Sequence, residues 1–495
     1  MMKRLITGVI LIIVASSTLL HPAVAQESGQ YREPYRPQFH YSPPQWWMND
    51  PNGLVYYEGE YHLFYQYHPG SLVWGSMHWG HAVSTDLVHW ETLPIALYPD
   101  ELGTIFSGSV VVDAANTSGL VPGGELVAIY SYDTQTQGIA YSIDNGRTWT
   151  KYARNPVIDA LAPDFRDPKV FWHQETGRWV MVISAGKEVR FFVSPNLMDW
   201  EETSSFASNF FTLGVWEMPD LFPLEFQGKT KWALIVNVGS GGPASGSGTM
   251  YFIGDFDGER FVADETSDIL WLDYGPDDYA GTTWNNAPDG RRIFIGWMNN
   301  WRYADRIPTD PWRGAMTIPR EIRLVDTPNG PRLAQQPVQS IEQLREPVGT
   351  WENMSVEGEN MLPNVKGRAL EILADFEIGT APVFGLQLQH GDVEFASVFY
   401  DVQGEQLYIS RPLSGITGFT RSFSAPLAPE DGRITLRILL DESSLEVFAG
   451  AGEVVLTSQQ FIPPKVDDVV LFADDGSAEL VSLQVYKLAS VWNTN

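Results

Sequence analysis

The sequence contains no cysteine. Disulfide bonds, thiolate metal sites and a cysteine nucleophile are therefore excluded. Basic residues are also scarce, since 32 lysines and arginines stand against 61 aspartates and glutamates and give a formal net charge of -29. A surface with this charge repels nucleic acid and anionic lipid, so we expect neither nucleic acid nor a membrane as a partner. A neutral polymer remains compatible with it.

Beyond its first residues, the sequence has no apolar run long enough to span a bilayer. The N-terminus has the pattern of an export signal: Lys3 and Arg4 precede an apolar run from Leu5 to Leu20, and Ala23-Val24-Ala25 forms a cleavage motif. A membrane anchor, which is the alternative, requires a longer run. We therefore predict a signal peptide over residues 1–25, cleaved after Ala25, and a secreted or periplasmic protein.

Aromatic residues are abundant, with 18 Trp, 20 Tyr and 25 Phe. Their side chains suit the pleated surface of β-sheets, and their flat faces suit sugar rings. A chain of 495 residues exceeds the usual size of one domain, so we expect two. The composition favours β structure and permits carbohydrate binding, but it establishes neither.

A short pattern recurs along the first part of the chain. Its copies begin at Val83, Tyr141, Val193 and, more loosely, Ile253. Each copy predicts a strand, a polar turn and a return strand, which in the first three copies begins near a tryptophan. Such repeats of short strands are typical of β-propeller blades, and residues 31–330 have room for about five.

The pattern changes near residue 330. A turn-rich break at Thr327–Pro331 is followed by a segment, 331–347, that we interpret as a linker with a short helix between Val338 and Glu346. Strict alternation of apolar and polar residues follows, for example from Leu370 to Ile378, and predicts an antiparallel β-sandwich over 348–492. The predicted fold is thus all-β, with a β-propeller followed by a C-terminal β-sandwich. Such a sandwich either binds sugar or covers one face of the propeller, and we favour the second role.

One acidic motif stands among apolar neighbours. Asp50 lies in an Asp-Pro-Asn-Gly run directly after Trp46, Trp47 and Met48. A plain turn between two strands explains the run. Exposed turns seldom carry so much apolar surface, however, whereas the lip of a binding pocket does.

Two further motifs carry acidic candidates. Asp167 follows Arg166, and a structural ion pair is the simpler interpretation of these two residues. Glu217 lies between Trp216 and Met218, and burial by such neighbours raises the pKa of a carboxyl group as a general acid requires. A glutamate that faces solvent at a strand edge explains this motif equally well.

Five histidines lie close together in the sequence: His62, His68, His78, His81 and His89. None of the established zinc-ligand spacings such as HExxH occurs among them, and residues three apart in a strand face opposite sides. We therefore predict no metal site. No phosphate-binding loop, dinucleotide fingerprint or GxSxG motif is present either.

The three acidic motifs, taken together and in this order, resemble glycoside hydrolase family 32, which comprises the invertases, inulinases and levanases. The resemblance covers nearly the whole chain after residue 25. Further matching runs are Leu63-Phe64-Tyr65-Gln66-Tyr67, Trp74-Gly75, Phe106-Ser107-Gly108-Ser109 and Gly296-Trp297-Met298-Asn299-Asn300-Trp301.

The resemblance implies a five-bladed β-propeller followed by a β-sandwich, in agreement with the repeat and the alternation. It also implies roles for the acidic residues, with Asp50 as the nucleophile, Glu217 as the general acid/base and Asp167 as the transition-state stabiliser. We expect Arg166 to keep Asp167 ionised. The residues implied to bind substrate are Asn49, Gln66, Trp74, Phe106, Ser107, Arg166 and Trp301.

The activity implied by the resemblance is retaining hydrolysis of fructofuranosyl bonds, without a cofactor, in levan, inulin or sucrose. In retaining glycosidases the two carboxyl groups lie about 5 to 5.5 Å apart. The run from Trp301 to Thr317 resembles fructan-degrading relatives, which favours an exo-acting levanase or inulinase. Many relatives have cysteine where this chain has Met218, so the pKa of Glu217 need not match theirs.

Several alternatives stay open at this point. A fructosyltransferase or levanbiohydrolase of the same family would share all of these motifs. An inverting propeller glycosidase would also use three carboxylates, but the Asn-Asp-Pro-Asn-Gly and Trp-Glu motifs fit family 32 more closely. A non-catalytic fructan-binding protein could lose a carboxylate freely, yet all three are present here. The sequence does not indicate an oligomeric state.

Overall fold

A computed structural model describes residues 31–492 except 209–212, 267–268, 391–394, 412–419 and 464–466. The predicted signal peptide, residues 1–25, lies outside the described residues. Apart from turns and irregular segments, the chain folds almost entirely into β-strands, with short 3-10 helices at Pro288–Gly290, Ala304–Arg306 and Gln339–Leu344. Within the described ranges, no helix combines the length and the apolar character needed to cross a membrane.

The first part of the chain consists of short strands joined by turns. Their bounds are β1 Trp46–Tyr57, β2 Glu60–His68, β3 His78–Ser84, β4 Glu91–Leu97, β5 Ile105–Val112, β6 Leu126–Tyr132, β7 Gln137–Ser142, β8 Thr150–Lys151, β9 Phe165–His173, β10 Arg178–Ala185, β11 Glu188–Ser194, β12 Glu201–Phe206, β13 Trp216–Phe226, β14 Lys229–Val238, β15 Gly248–Phe256, β16 Phe261–Ala263, β17 Leu270–Trp271, β18 Tyr279–Thr283, β19 Ile293–Trp297, β20 Trp312–Arg313, β21 Arg320–Thr327 and β22 Gly330–Pro337.

These strands form five sheets arranged in a ring. The sheets comprise β1–β4, β5–β8, β9–β12, β13–β16 and, last, β18, β19, β21 and β22. The first strand of each sheet contacts the first strand of the next, and β18 contacts β1 again. The predicted five-bladed β-propeller is thereby confirmed. β20 pairs in parallel with β1, with Trp312 opposite Trp46, and so ties the end of the ring to its beginning.

The sequence repeat marks the same turn in successive blades. Ser84, Ser142 and Ser194 each end the third strand of their blade, and each serine hydroxyl bonds the side chain of a residue two positions later. The fourth strand then begins directly after the tryptophan of the repeat, as in β4 after Trp90. A serine that bonds two residues ahead is a local turn motif. The propeller prediction therefore rested on a real structural repeat.

The first strand of each sheet lies at the centre of the ring, where it contacts the first strands of its neighbours, and is called the innermost strand below. Each innermost strand is irregular near its beginning. The pairing register shifts between Met48 and Pro51 in β1, Ile105 and Gly108 in β5, Arg166 and Lys169 in β9, Glu217 and Asp220 in β13, and Tyr279 and Thr282 in β18. Such β-bulges bend a strand and re-aim its side chains. The five bulges therefore surround one end of the central channel, and the turn-like Asp50-Pro51-Asn52-Gly53 run is a bulged part of β1 instead of a loop between strands.

The second part of the chain is a continuous set of antiparallel strands. They are β23 Arg345–Lys366, β24 Leu370–Glu377, β25 Val383–His390, β26 Ala396–Asp401, β27 Gln406–Ser410, β28 Ser422–Pro426, β29 Arg433–Asp441, β30 Ser444–Ala449, β31 Val454–Gln459 and β32 Asp468–Leu488. The long strand β32 pairs with β25 through its first residues and with β24 through its last. It thus passes from one layer to the other, and apolar side chains such as Ile372, Leu386 and Ile438 fill the core between them. The predicted C-terminal sandwich is confirmed.

The segment interpreted as a linker contains a propeller strand. β22 pairs with β21 along its full length from Gly330 to Pro337, so the break at Thr327–Pro331 contains the hairpin turn of the last blade and does not separate two domains. The 3-10 helix Gln339–Leu344 lies where a short helix was predicted. We therefore propose that the propeller extends to Pro337 and that the connection to the sandwich is shorter than 331–347.

Buried charges join the two domains. The ring of His40 contacts Asp441 through Nδ1 and Glu446 through Nε2, each at 2.7 Å. Arg320 of the last blade donates to Glu446 Oε2 at 2.5 Å and to Asp273 Oδ2 at 3.0 Å. None of these five residues is more than 1% exposed. The charges are paired and hydrogen-bonded, as a buried charge requires.

Candidate active site

The bulged strand beginnings hold the predicted catalytic residues at one end of the channel. Asp50 lies on β1, Asp167 on β9 and Glu217 on β13, and each belongs to the bulge of its strand. Asp167 is only 6% exposed, while Asp50 and Glu217 are partly exposed. The three carboxylates are close enough to act on one another, since the charge of Glu217 raises the pKa of both aspartates.

Two side chains hold the Asp50 carboxylate. Asn49 donates from Nδ2 to Oδ1 at 2.9 Å, and Ser107 donates from its hydroxyl to Oδ2 at 2.8 Å. The Asn49 amide is itself fixed by the indole N–H of Trp47 at 2.8 Å. Burial raises the pKa of Asp50 to about 6, although the hydrogen bonds from Asn49 and Ser107 oppose this rise. Asp50 is therefore oriented and ionised above about pH 6.

The strand of Asp50 is held closely by a glycine. Gly314 has a φ of +95°, and a Cβ at this position would lie 2.1 Å from the carbonyl oxygen of Met48. A residue with a side chain would face both a strained backbone and a clash at this point. The approach of Gly314 fixes the backbone two residues before Asp50.

Asp167 is held by backbone contacts. Its Oδ2 accepts a hydrogen bond from the N–H of Met218 at 3.1 Å, and its own N–H donates to the Ser131 hydroxyl at 2.9 Å. Burial raises the pKa of Asp167 to about 7, and the opposing effect of Arg166 is smaller. The Nε atom of Arg166 lies 3.9 Å from Oδ2. Arg166 therefore favours the ionised form of Asp167, as expected, but burial opposes it with the larger effect.

Arg166 instead makes its short contacts elsewhere. It donates from Nη2 to Glu217 Oε1 at 2.8 Å and from Nη1 to Asp164 Oδ1 at 2.6 Å. The hydroxyl of Tyr279 on β18 donates to the other oxygen of Glu217, Oε2. Both oxygens of the predicted acid/base are therefore hydrogen-bonded, one by a cation and one by a neutral donor.

Tyr279 was not identified from the sequence. It is only 2% exposed and stands on the fifth innermost strand, so the innermost strands together contribute Asp50, Ser107, Asp167, Glu217 and Tyr279. No motif surrounds it, and it lies 62 positions from Glu217 in the chain. Only the fivefold arrangement of bulges, one per blade, could have indicated a residue there.

The remaining predicted residues form the surroundings of the carboxylates. Gln66 is buried and donates to the Ile105 carbonyl at 3.0 Å. Trp74, which is 48% exposed, packs edge-on against Phe106 with ring centroids 6.1 Å apart. Trp301, which is 40% exposed, stacks on the buried ring of Trp47 at 5.9 Å. Trp74 and Trp301 thus offer aromatic surface to solvent near the predicted pocket.

This arrangement can perform acid/base and nucleophilic chemistry on a sugar. Two carboxyl groups with different partners are the usual equipment of a glycosidase. Among the described residues, no group of three or more histidines, aspartates and glutamates is placed to hold a metal ion.

Comparison with known proteins agrees with this geometry. The family model of the glycosyl hydrolases family 32 N-terminal domain matches residues 40–337, and that of the glycosyl hydrolases family 32 C terminal matches residues 340–487. The chain is 47% identical to a levanase of Bacillus subtilis (strain 168), over 100% of this chain and 76% of the levanase.

Fungal relatives are also similar. The extracellular exo-inulinase of Aspergillus awamori is 40% identical over 94% of this chain and 96% of the inulinase. Its crystal structure superposes with a TM-score of 0.88 at 38% identity and covers 93% of this chain and 100% of that one. A β-fructofuranosidase of Schwanniomyces occidentalis, solved in complex with fructosyl-erythritol, gives a TM-score of 0.85 at 32% identity over 94% of this chain and 100% of that one.

The family models together span most of the chain, and the relatives align from end to end of both domains. The resemblance inferred from the motifs is thereby confirmed. The chain belongs to glycosyl hydrolase family 32, and it is a β-fructofuranosidase.

Proposed function

We propose that this β-fructofuranosidase is an exo-acting fructanase, which releases single fructose units from levan or inulin and also cleaves sucrose. The observation that carries the proposal is the convergence of Asp50, Asp167 and Glu217 from three innermost strands on one end of the channel. The similarity to a levanase and to an exo-inulinase supports the choice of substrate.

In this proposal Asp50 is the nucleophile. Asn49 and Ser107 each donate to one of its oxygens and so orient the carboxylate without neutralising it. The ionised group attacks the anomeric carbon of the terminal fructose, and a fructosyl-enzyme ester forms as the bond to the leaving oxygen breaks. Water then cleaves the ester, and fructose leaves with its configuration retained.

Glu217 is the proposed acid/base. It gives its proton to the leaving oxygen in the first step and takes a proton from the attacking water in the second. Arg166 and Tyr279 hold its two oxygens and thereby fix the direction in which the proton moves. The same carboxyl group serves in both steps, as microscopic reversibility requires.

Asp167 is proposed to stabilise the transition state. Its carboxyl group is buried beside the other two and is held by the N–H of Met218 at 3.1 Å. Hydrogen bonds to the fructose hydroxyls strengthen as positive charge develops on the ring, and only interactions that strengthen in the transition state accelerate the reaction. Asn49, Gln66, Trp74, Phe106, Ser107, Arg166 and Trp301 are the proposed substrate contacts.

Export is part of the proposal. The charged, apolar and small-residue regions of residues 1–25 have the order of a signal peptide, and one relative is named an extracellular enzyme. A protein acting outside the cytoplasm on a polymer too large to import is consistent with this. We propose a secreted or periplasmic location.

The proposal is tested by a product time course on levan, inulin and sucrose, resolved by chromatography. Fructose as the sole early product from levan and inulin is the expected result. Early difructose would identify a levanbiohydrolase, and a ladder of longer oligosaccharides would indicate endo action. Products longer than the substrate would identify a fructosyltransferase. No release from any substrate would contradict the proposal as a whole.

The stereochemical part is tested separately. Reaction in the presence of methanol traps the fructosyl group as a methyl glycoside, which does not mutarotate. The methyl β-fructofuranoside is expected from a double displacement. The α-anomer would contradict the proposed role of Asp50 and would point to an inverting enzyme.

A further inference from the structure

A buried contact chain runs from the sandwich to the propeller. Arg411, which directly follows β27, donates from Nη1 to Asp277 Oδ2 at 2.8 Å. The hydroxyl of Tyr303 donates to the other oxygen of the same carboxylate, Oδ1. None of the three residues is more than 2% exposed. One propeller carboxylate therefore joins an arginine of the sandwich to a tyrosine of the loop that follows β19.

That loop carries Trp301. Tyr303 lies two residues after this tryptophan, and the N–H of Tyr303 donates to the Asn300 carbonyl at 3.1 Å. The side chain of Asn300 donates to the Pro276 carbonyl at 2.6 Å, next to Asp277. The residues on both sides of Trp301 are thus anchored to the segment Pro276–Asp277, which Arg411 holds from the sandwich.

A second contact from the sandwich reaches the same loop. The hydroxyl of Thr420 donates to the Ala244 carbonyl at 2.6 Å, and Ala244 belongs to the turn between β14 and β15. Gly246 of this turn packs so closely against Asn300 that a Cβ there would lie 2.8 Å from its Oδ1 atom. Two sandwich residues, Arg411 and Thr420, therefore bond to the segments that pack against the loop around Trp301, and they also bond to each other, since Arg411 Nε donates to the Thr420 carbonyl at 3.2 Å.

A series of contacts also connects Trp301 to Asp50, the proposed nucleophile. The ring of Trp301 stacks on Trp47, whose indole N–H holds Asn49, and Asn49 holds Asp50. Trp301 is 40% exposed, and an aromatic ring that is open to solvent suits contact with a sugar. Asn49 and Ser107 hold Asp50 directly, and Trp47 holds Asn49, so the position of the Trp301 ring bears on the pocket and not on the nucleophile.

Stability alone does not account for the pair of Arg411 and Asp277. A buried ion pair seldom stabilises a fold more than apolar side chains of the same volume would, because both charges are taken out of water. A carboxylate whose oxygens are both hydrogen-bonded fixes the positions of its donors, because hydrogen bonds to each oxygen form only within a limited range of angles.

We infer that the sandwich domain positions Trp301, with Arg411 as the positioning residue, and thereby sets how firmly the enzyme holds fructan. The inference rests on the proposed function and adds to it a part for the second domain. Arg411 does not touch the reacting atoms. Its effect belongs to substrate binding, so it is expected in KM for long substrates and not in kcat.

The test uses the full-length protein and two changes of different severity. Tyr303→Phe removes the hydroxyl that bonds Asp277. The double change Arg411→Met with Asp277→Asn removes both charges of the buried ion pair together. KM for inulin is expected to rise about fivefold in each, a size typical of residues that act without touching the ligand. The kcat should stay close to that of the unaltered protein. Tyr400→Phe is the matched control, because its hydroxyl donates to the Leu427 carbonyl within the sandwich, at 3.0 Å.

Trp301→Ala separates positioning from a structural role. If Arg411 acts through Trp301, Tyr303→Phe should produce no further rise of KM when Trp301 is already absent. A rise of the same size in both backgrounds would overturn the inference, as would unchanged KM in Tyr303→Phe and in the double variant. The unaltered protein is assayed alongside, and its failure to release fructose would instead contradict the proposed function.

Discussion

The hydroxyl of Ser107 on the second blade donates to Oδ2 of Asp50 on the first blade at 2.8 Å. This bond crosses from one blade to the next, so the state of the proposed nucleophile depends on how two sheets pack and not on its own strand alone. Because the donor favours the ionised carboxylate, the contact lowers the pKa of Asp50 against the effect of burial.

The first prediction concerns the acid limb of the pH profile. With a pKa of about 6, Asp50 loses its charge below that pH, so kcat/KM should fall as the pH drops through 6. Ser107→Ala removes an effect that lowers this pKa, and the acid limb should move upward by about one pH unit. Ser109→Ala is the control, since that hydroxyl donates to the Pro168 carbonyl. An acid limb that stays in place in Ser107→Ala would contradict the assignment.

The second prediction concerns the two proposed catalytic carboxylates. Asp50→Ala and Glu217→Ala should each lower kcat by about four orders of magnitude, as the loss of a central catalytic group does in other hydrolases. With β-fructosyl fluoride, whose leaving group needs no proton, azide added to Glu217→Ala should restore turnover and give the β-fructosyl azide, because the ester on Asp50 still forms. Glu225→Ala, an exposed glutamate on the same strand, controls for folding. An α-fructosyl azide would exclude an intermediate on Asp50.

The third prediction concerns Tyr279. Its hydroxyl holds Glu217 Oε2, so Tyr279→Phe should lower kcat by about tenfold while the ring still fills its buried site. Tyr251→Phe makes the same chemical change at a buried tyrosine whose hydroxyl bonds only the Leu333 N–H. Thermal unfolding of both variants shows whether the fold is intact. Equal kcat in the two would mean that Tyr279 has no part in orienting the acid/base.

The fourth prediction concerns stability at alkaline pH. Burial by itself would lower the pKa of His40, but its hydrogen bonds to Asp441 and Glu446 raise it to about 9. A raised histidine pKa stabilises the fold fully below the unfolded value of about 6.5, and this contribution is lost as the pH rises through 9. The loss is on the order of 3 kcal/mol.

The midpoint of thermal unfolding, measured between pH 6.5 and pH 9.5, checks this. His40→Gln keeps a polar side chain but cannot take up a proton, so its midpoint should depend much less on pH over this window. It should also be less stable than the unaltered protein at pH 6.5. Parallel pH curves for the two proteins would show that His40 is not charged in the fold.

The sequence predicted those parts of the fold that repeat. The serine turns at Ser84, Ser142 and Ser194 recur because the same local hydrogen bond closes each blade, so the pattern survives in the residues themselves. The alternation in β24 and β29 predicted the sandwich for the same reason, since each residue faces either the core or solvent. Features that depend on neighbouring residues and recur along the chain can therefore be predicted from a single sequence.

Features set by contacts distant in the sequence could not be read in this way. The turn at Thr327–Pro331 closes a hairpin, and nothing local distinguishes a hairpin turn from a domain boundary. The pKa of Asp167 depends on its burial, which the closed ring determines. Tyr279 and the buried acids Asp273 and Asp277 resemble the many surface residues of the same type until the blades are assembled.

The parallel pairing of β1 with β20 has a consequence for the timing of folding. Trp46 lies four residues before Asp50, and its partner Trp312 is made only after the proposed catalytic residues. The chain is synthesised from its N-terminus onward, so the proposed nucleophile Asp50 is made long before its strand, β1, can pair with β20. The ring can therefore close around Asp50 only after the last blade has been made, when the two ends of the propeller can meet.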